Sequence, residues 1–196
     1  MHDFESSLER DLLITLEFDS FIESYCEQPV CIEYLHDGTT KRYTPDVIVY
    51  YRKDVEAVKH LKPMLCEIKY RADLKKHWQE LKPKYMAALR YASLQGWRFK
   101  ILTEKEIRTE YQWNAKFLTS YRKPMVGEID AGDFTLLLQT VEQLYHTTPK
   151  QVMMAAVRDE WKRAELIYVL WYMIANGFVK CDLSRKLTMD TEIWLH

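Results

Sequence analysis

Two neighbouring runs of strand-forming residues constrain this chain more than any other feature. The first covers residues 47–51 and the second covers residues 64–70. Side chains alternate between the faces of a strand, so the second run has an apolar face and a face that carries Leu65, Glu67 and Lys69. An unpaired charge buried in mid-strand is costly. The run therefore predicts either a solvent-facing Glu67–Lys69 ion pair, which contributes at most about 1 kcal/mol, or a site where a metal ion offsets the cost.

A Pro-Asp pair, Pro45 and Asp46, stands at the entry to the first run. Proline has no backbone N–H, so we expect the hydrogen-bonded ladder to open beside the Asp46 carboxylate. An acid on an upstream helix and a lysine-rich helix downstream accompany this pair. This combination favours the metal site over the ion pair.

The length and composition are those of a globular protein. A chain of 196 residues, 47% hydrophobic and 29% charged, can form one ordinary domain and a smaller second one. The four cysteines form no CxxC pair, which predicts reduced thiols and a cytosolic protein. The sequence begins without an apolar signal region and has no run of apolar residues that would span a bilayer, so we expect a protein that is neither secreted nor inserted in a membrane.

Charge is unevenly distributed, although the formal net charge is only −1. Residues 1–37 contain ten acids and one arginine, whereas residues 69–84 contain six lysines and arginines and two acids. Such an acidic stretch can collect cations, and such a basic segment can contact a phosphate backbone. The candidate DNA contacts are Lys75, Lys76, Lys82 and Lys84.

The first helix is predicted from about Ser7 to Glu17, where leucines recur at helical spacing. Ser6 and Glu9 have the spacing of a capping box, in which Glu9 would fold back on the helix start. The alternative is that Glu9 points towards Asp46 and contributes a metal ligand. The local sequence favours the cap and leaves the second interpretation open.

The order of elements predicts an α/β fold with a mixed sheet. Strand-like segments within residues 21–33, 41–51 and 63–70 precede a helix over residues 73–95 and a strand over residues 99–103. Pro83 predicts a break or kink in that helix. A helix over residues 111–121 closes the first domain, residues 1–125, and residues 123–127 are the predicted linker.

A second domain is predicted over residues 126–196. Three helices, at about residues 131–145, 148–157 and 161–175, precede two strand-like pieces at residues 178–183 and 187–195, as in a winged-helix domain. This part has a net charge of −3, from seven bases and ten acids, and its third helix is strongly apolar. We therefore expect it to dock a protein and not to read DNA.

Several motifs occur in an order that resembles a known family. Asp46 after Pro45, followed by Glu67-x-Lys69, resembles the PD-(D/E)xK nucleases, which have the restriction-endonuclease-like fold. The whole chain resembles TnsA, the endonuclease subunit of heteromeric cut-and-paste transposases. The matching segments are Ser7-Leu8-Glu9, Tyr43-Thr44-Pro45-Asp46, Glu67-Ile68-Lys69, residues 99–107 and Asn176-Gly177-Phe178-Val179-Lys180.

The resemblance implies a role for each candidate site residue. Glu9, Asp46, Glu67 and the backbone carbonyl of Ile68 would bind one or two Mg²⁺ ions, for which Mn²⁺ should substitute. Lys69 would lie near the attacking water. Under this resemblance the catalytic role of Glu9 is preferred to the capping role.

The resemblance also implies a substrate and partners. A TnsA-like subunit cuts the non-transferred strand at the 5′ ends of a transposon, together with a TnsB-like DDE transposase and a TnsC-like AAA+ ATPase. We expect such a protein in the bacterial cytoplasm, at the nucleoid when it acts. The alternatives are a stand-alone restriction or repair nuclease and a nuclease-like assembly platform without activity.

Overall fold

The computed structural model describes residues 3–123 and 129–195. The chain forms two compact units, residues 1–108 and residues 109–196. Most of the predicted linker, residues 124–127, lies outside the described residues. No helix of the described residues is long and apolar enough to cross a bilayer.

Within the described residues, the first unit contains six strands and four helices, and its first four strands follow one another along the chain. They are α1 (Asp3–Phe18), β1 (Ile22–Glu27), β2 (Ile32–His36), β3 (Thr39–Tyr43), β4 (Val47–Tyr51), α2 (Lys53–Lys59), β5 (Met64–Ile68), α3 (Arg71–Leu94), β6 (Arg98–Leu102) and α4 (Glu104–Ile107). Four strands form one sheet in the order β1-β4-β5-β6, and β2 and β3 form a separate hairpin. The β5–β6 pair is parallel and the other pairs are antiparallel. The predicted mixed sheet is therefore confirmed.

The strand predicted over residues 41–51 is two strands in the structure. β3 ends at Tyr43 and pairs with β2, whereas β4 begins at Val47 and pairs with β1 and β5. The break contains Pro45, which cannot donate a ladder hydrogen bond. Asp46 consequently lies at the mouth of β4, as the sequence predicted.

Each face of the main sheet packs on a different set of side chains. On one face, Leu8, Leu12 and Leu16 of α1 pack against Val47 and Cys66. On the other face, Ile48 and Leu65 pack with residues of α3. The alternation predicted for β5 is confirmed, because Cys66 and Leu65 belong to opposite cores.

Helix α3 has the interruption that the sequence predicted, at a position upstream of Pro83. The residue with non-helical backbone angles is His77 (φ −111°, ψ 15°), and Pro83 follows six positions later inside the helix. The sequence also predicted one apolar row on this helix, formed by Leu74, Trp78, Leu81, Tyr85, Leu89 and Ala92. This row was wrong at two positions, since Trp78 is 41% and Leu89 is 45% exposed. Tyr85, Ala88 and Ala92 form the buried row instead, because these residues face the sheet.

Helix α1 begins earlier than the sequence predicted. It starts at Asp3, so Ser6 lies inside the helix and is not its N-cap. The predicted capping box is therefore wrong, and Glu9 is a half-buried residue of the helix interior. Asp11 of the same acidic stretch is buried and pairs with Arg108 at 2.9 Å.

The second unit consists mainly of helices. They are α5 (Glu110–Arg122), α6 (Ala131–Leu144), α7 (Pro149–Ala156) and α8 (Glu160–Ala175), followed by the short strands β7 (Lys180–Cys181) and β8 (Ile193–Trp194). Helix α5 packs against α8, so it belongs to the second unit although the sequence assigned it to the first. The compact units accordingly divide after Arg108, whereas the sequence placed the boundary at residue 125.

The two short strands pair in antiparallel fashion through two residues each. A hairpin-like pair after the helices is what the sequence predicted, and the winged-helix assignment stays a prediction. Helix α8 is largely buried in its own unit, with Leu166, Leu170 and Met173 fully enclosed. Its apolar composition therefore serves the core of this unit.

Candidate active site

Asp46 is attached to strand β5 through both its backbone and its side chain. Its N–H donates to the carbonyl of Cys66 at 3.1 Å, and its Oδ2 accepts the N–H of Ile68 at 2.5 Å. Its own carbonyl accepts the N–H of Gln28 at 2.8 Å. These three hydrogen bonds fix the carboxylate at the C-terminal end of β5.

A small pocket of about 40 Å³ lies in front of this carboxylate. Its lining includes three acids from separate elements, namely Glu9 of α1, Glu27 of β1 and Asp46. Gln28 and Ile68 contribute to the same pocket. Gln28 has a positive φ of 47°, a left-handed conformation that is uncommon outside glycine and that turns the chain at the end of β1.

The crowding of acids changes the protonation of Asp46. Burial, followed by the charge of Glu67 and then that of Glu9, raises the pKa of Asp46 to about 7, although the Ile68 hydrogen bond and Lys84 act in the opposite direction. A carboxylate in this position is stabilised by any cation that enters the pocket. Hard-oxygen donors of this kind suit Mg²⁺ or Mn²⁺.

The predicted ligands do not converge in the described part of the chain. Within residues 3–123 and 129–195, no group of three His, Cys, Asp or Glu side chains is close enough to hold an ion. Glu67 does not line the Asp46 pocket, because its side chain lies on the α3 face of the sheet and is bound by other partners. The pocket itself is lined by carboxylates, which are ligands of the kind that Mg²⁺ takes.

Glu67 accepts hydrogen bonds at both carboxylate oxygens. Tyr43 donates to Oε2 at 2.6 Å, whereas Lys84 and Tyr85 donate to Oε1 at 2.9 Å and 3.2 Å. Glu67 is only 4% exposed, so these three donors take the place of the water molecules that would otherwise hydrogen-bond to its carboxylate. Burial and the charge of Glu67 raise the pKa of Tyr43 far above its ordinary value, and its hydroxyl stays protonated as a donor.

Lys84 does not lie with the other predicted DNA contacts. Its side chain is 21% exposed and pairs with Glu67, and its ammonium lies 4.6 Å from the ring centre of Tyr43 and 5.0 Å from that of Tyr85. Lys75, Lys76 and Lys82 are exposed on α3, as predicted. The structure therefore separates three solvent-facing lysines from one that neutralises a buried acid.

Lys69 follows directly on β5, and its backbone N–H donates to the carbonyl of Leu102 in β6 at 3.0 Å. Its side chain is half-buried. The sequence motif thus places Lys69 two residues after Glu67, directly beyond the end of β5 to which Asp46 is hydrogen-bonded. Glu67, Asp46 and Lys69 are brought to one end of β5.

Sequence reasoning missed the roles of Tyr43, Tyr85 and Lys84 at Glu67. Tyr43 was noted only as part of the motif before Asp46, and Tyr85 only as a core residue of α3. A signal was present, since a buried tyrosine needs a partner for its hydroxyl and a mid-strand glutamate needs donors.

The architecture of the first unit, a mixed sheet covered on both faces with acids at one strand end, is compatible with a nuclease fold. Comparison with family models gives two matches, TnsA-like endonuclease N terminal over residues 19–104 and TnsA endonuclease C terminal over residues 106–183. The chain belongs to the TnsA endonuclease family. Comparison with curated proteins gave no significant match.

The boundary between the two family matches supports the observed division of the chain. One match ends at residue 104 and the other begins at residue 106, close to the division after Arg108. Helix α5 therefore falls within the C-terminal family domain. The family is one of endonucleases of DNA transposition, which makes this chain a nuclease subunit by membership.

Proposed function

We propose that this chain is the Mg²⁺-dependent DNA endonuclease subunit of a Tn7-type transposase, and that it cuts the non-transferred strand at the 5′ ends of the transposon. The observation that carries the proposal is the Asp46 carboxylate, held on the Ile68 N–H in an acidic pocket at the end of β5. Family membership supplies the reaction class.

Asp46, the backbone carbonyl of Ile68 and Glu9 are the groups that would hold the ion, whereas Glu67 is held on the α3 face of the sheet by Tyr43, Lys84 and Tyr85. When bound, one or two Mg²⁺ ions, or Mn²⁺ in their place, supply positive charge that acidifies water and stabilises the charge on phosphate. The Asp46 carboxylate binds as an anion, so the bound state requires it to lose its proton. This requirement matters because its pKa is raised to about 7 in the metal-free protein.

Lys69 supplies a compact charge near the phosphate that is cut. Its ammonium would orient the attacking water and offset the charge that develops on the phosphoryl oxygens. Lys84 holds Glu67 from the other side of the carboxylate, which keeps this acid from adding its full charge to the repulsion at Asp46. The chain's own residues thus position one acid and compensate the other.

Transposon-end DNA is the proposed substrate, and its backbone would contact the exposed Lys75, Lys76 and Lys82. A TnsB-like DDE transposase would process the other strand. The second unit would dock a TnsC-like AAA+ ATPase, since residues 126–196 carry a net charge of −3. These assignments imply a cytoplasmic protein that works at the nucleoid.

A second candidate function is a nuclease-like assembly platform without activity. The observation that favours it is the complete occupation of the Glu67 carboxylate by Tyr43, Lys84 and Tyr85. The intact acids of the Asp46 pocket favour the nuclease. A stand-alone restriction or repair nuclease would use the same site without transposase partners.

Reconstituted excision from labelled transposon ends tests the proposal. With the transposase and ATPase partners and Mg²⁺ present, wild type should nick the 5′ strand, whereas Asp46→Ala should lower the rate by a factor of at least ~10³. Glu23→Ala, which removes an exposed acid of the first unit outside the Asp46 pocket, is the matched control. Equal excision by wild type and Asp46→Ala would reject the site, and cleavage that needs no partner would favour the stand-alone nuclease.

A further inference from the structure

A groove of about 810 Å³ lies on the first unit, and of its lining residues only Lys75 has a role assigned above. It runs along the first turns of α3 and the C-terminal end of β6. Its lining includes Arg71, Leu74, Lys75, Trp78, Ile101 and Glu106. A cavity of this size is within the range of about 300–1,000 Å³ that holds small organic ligands.

The lining combines an aromatic face, an apolar floor and two cations. Trp78 is 41% exposed although it is a large aromatic residue, and its ring lies 6.2 Å from that of Tyr85. Leu74 and Ile101 are half-buried, whereas Arg71 and Lys75 are exposed. A flat apolar group with an attached anion complements this combination.

The groove lining also contains an acid, Glu106, whose carboxylate takes part in a helix cap. Its Oε2 accepts the N–H and the hydroxyl of Thr103 in the capping box of α4. These hydrogen bonds, those from Thr103 first, lower the pKa of Glu106. Glu106 therefore stays ionised at the α4 cap, with Oε2 occupied by Thr103. The exposed Arg71 and Lys75 give the groove two positive charges against this one carboxylate.

Backbone connections link the groove to Lys69, the residue placed near the phosphate that is cut. Arg71 follows Lys69 by two residues, and the N–H of Lys69 bonds to the carbonyl of Leu102, which lies between the groove residues Ile101 and Thr103. A strand whose phosphate is near Lys69 therefore has neighbouring nucleotides within reach of the groove. Lys76 and Lys82 add exposed positive charge on the same helix.

We propose that this groove binds an unpaired nucleotide of the DNA strand next to the cleaved phosphate, with its base on Trp78 and its phosphate at Arg71 and Lys75. A base inside a duplex is stacked on both faces, so only an unpaired base can lie on the tryptophan ring. This inference rests on the proposed nuclease function and deepens it. Its consequence is a preference for DNA with a single-stranded extension over blunt DNA.

The test compares two hairpin duplexes of the same sequence, one blunt and one with a four-nucleotide extension that carries 2-aminopurine. Full-length protein is titrated without divalent metal, by anisotropy for affinity and by 2-aminopurine quenching for stacking. Wild type should prefer the extended duplex and quench its fluorescence. Trp78→Leu, which keeps an apolar side chain but has no ring, should lose at least ~5-fold of that preference, as expected for one stacked base.

Matched variants separate stacking from folding. Trp78→Phe keeps a ring beside Tyr85 and should retain most of the preference and the quenching, and Trp161→Leu, at an 85% exposed tryptophan of the second unit, should behave as wild type. Lys75→Gln should lower the affinity for both duplexes and leave the 2-aminopurine quenching at saturation unchanged.

Two outcomes count against the proposal in different ways. Equal binding of blunt and extended DNA by wild type, or an unchanged preference in Trp78→Leu, overturns the nucleotide site alone. Absence of any DNA binding by wild type, down to low salt, overturns the nucleotide site, whereas the proposed nuclease function is decided separately by excision with the partners present.

Discussion

The ammonium of Lys84 lies 2.9 Å from Oε1 of Glu67, and both side chains are largely withdrawn from water. The carboxylate belongs to a strand and the ammonium to a helix, so this ion pair fastens α3 to the sheet. Tyr43 and Tyr85 complete the hydrogen bonding of the acid. A residue predicted from the sequence to contact DNA is thus part of the structure that holds the candidate active site.

Replacing Lys84 with methionine should destabilise the first unit by about 3 kcal/mol, because Glu67 would remain buried without a compensating charge. Lys82→Met, at an exposed position of the same helix, should change the free energy of unfolding by no more than about 0.5 kcal/mol. Urea unfolding at pH 7 in EDTA measures both. Equal stability of the two variants would show that the ion pair contributes little.

The pH dependence of stability should report the environment of Asp46. Its folded pKa is raised to about 7 from an ordinary value of 3.8, so the folded state binds more protons than the unfolded state between these values. Stability therefore falls as pH rises from about 4 to about 7, by at most about 4 kcal/mol for this group.

Asp46→Asn should lack this part of the pH dependence of stability, because its side chain does not titrate. Its side-chain oxygen can still accept the Ile68 N–H. In EDTA, the variant should have a larger free energy of unfolding than wild type at pH 8. The difference between the two free energies should become smaller towards pH 4. Urea unfolding across this range is the measurement. A wild type and an Asn variant with parallel pH profiles would contradict the raised pKa.

Metal binding should be visible as thermal stabilisation. Mg²⁺ or Mn²⁺ should raise the melting temperature of wild type by preferential binding to the folded state, and a Glu9→Ala, Asp46→Ala, Glu67→Ala triple variant should lose the rise. Ca²⁺ should also stabilise wild type and support little cleavage, since its loose geometry positions water poorly. An identical shift in wild type and triple variant would place the ion elsewhere.

The exposed and the buried lysines of α3 should differ in the salt dependence of DNA binding. Each of Lys75→Gln, Lys76→Gln and Lys82→Gln should reduce the slope of log K against log salt by roughly 0.9 if that residue contacts a phosphate. Lys84→Gln should leave the slope unchanged, because this side chain faces Glu67. A slope that falls as much for Lys84→Gln would show that Lys84 reaches the phosphate backbone.

The position of the domain boundary should decide whether an isolated nuclease fragment stays monomeric or aggregates. A fragment ending at residue 125 retains α5 without α8, so Ala115 and Leu118, which are fully buried in the whole chain, would be exposed. A fragment ending at Arg108 avoids this. We expect the longer fragment to bind more of a hydrophobic dye and to aggregate sooner; equal behaviour of both fragments would show that α5 does not depend on α8.

Local pattern was sufficient for much of the fold. The alternation in β5 and the break at Pro45 follow from side-chain period and from backbone sterics, which act over a few residues. The capping box at Ser6 failed because the helix starts at Asp3. Helix ends depend on caps and packing that a short motif does not fix.

The order and spacing of the motifs are enough to place Asp46, Glu67 and Lys69 near the ends of two adjacent strands. What each of these residues contacts depends on how distant segments of the chain pack. Glu67 meets Tyr43, Lys84 and Tyr85 from positions 17 to 24 residues away, and α5 joins α8 rather than the sheet. These pairings are set by which helix covers which face, because burial of apolar area selects the packing and the polar groups must then find partners within it.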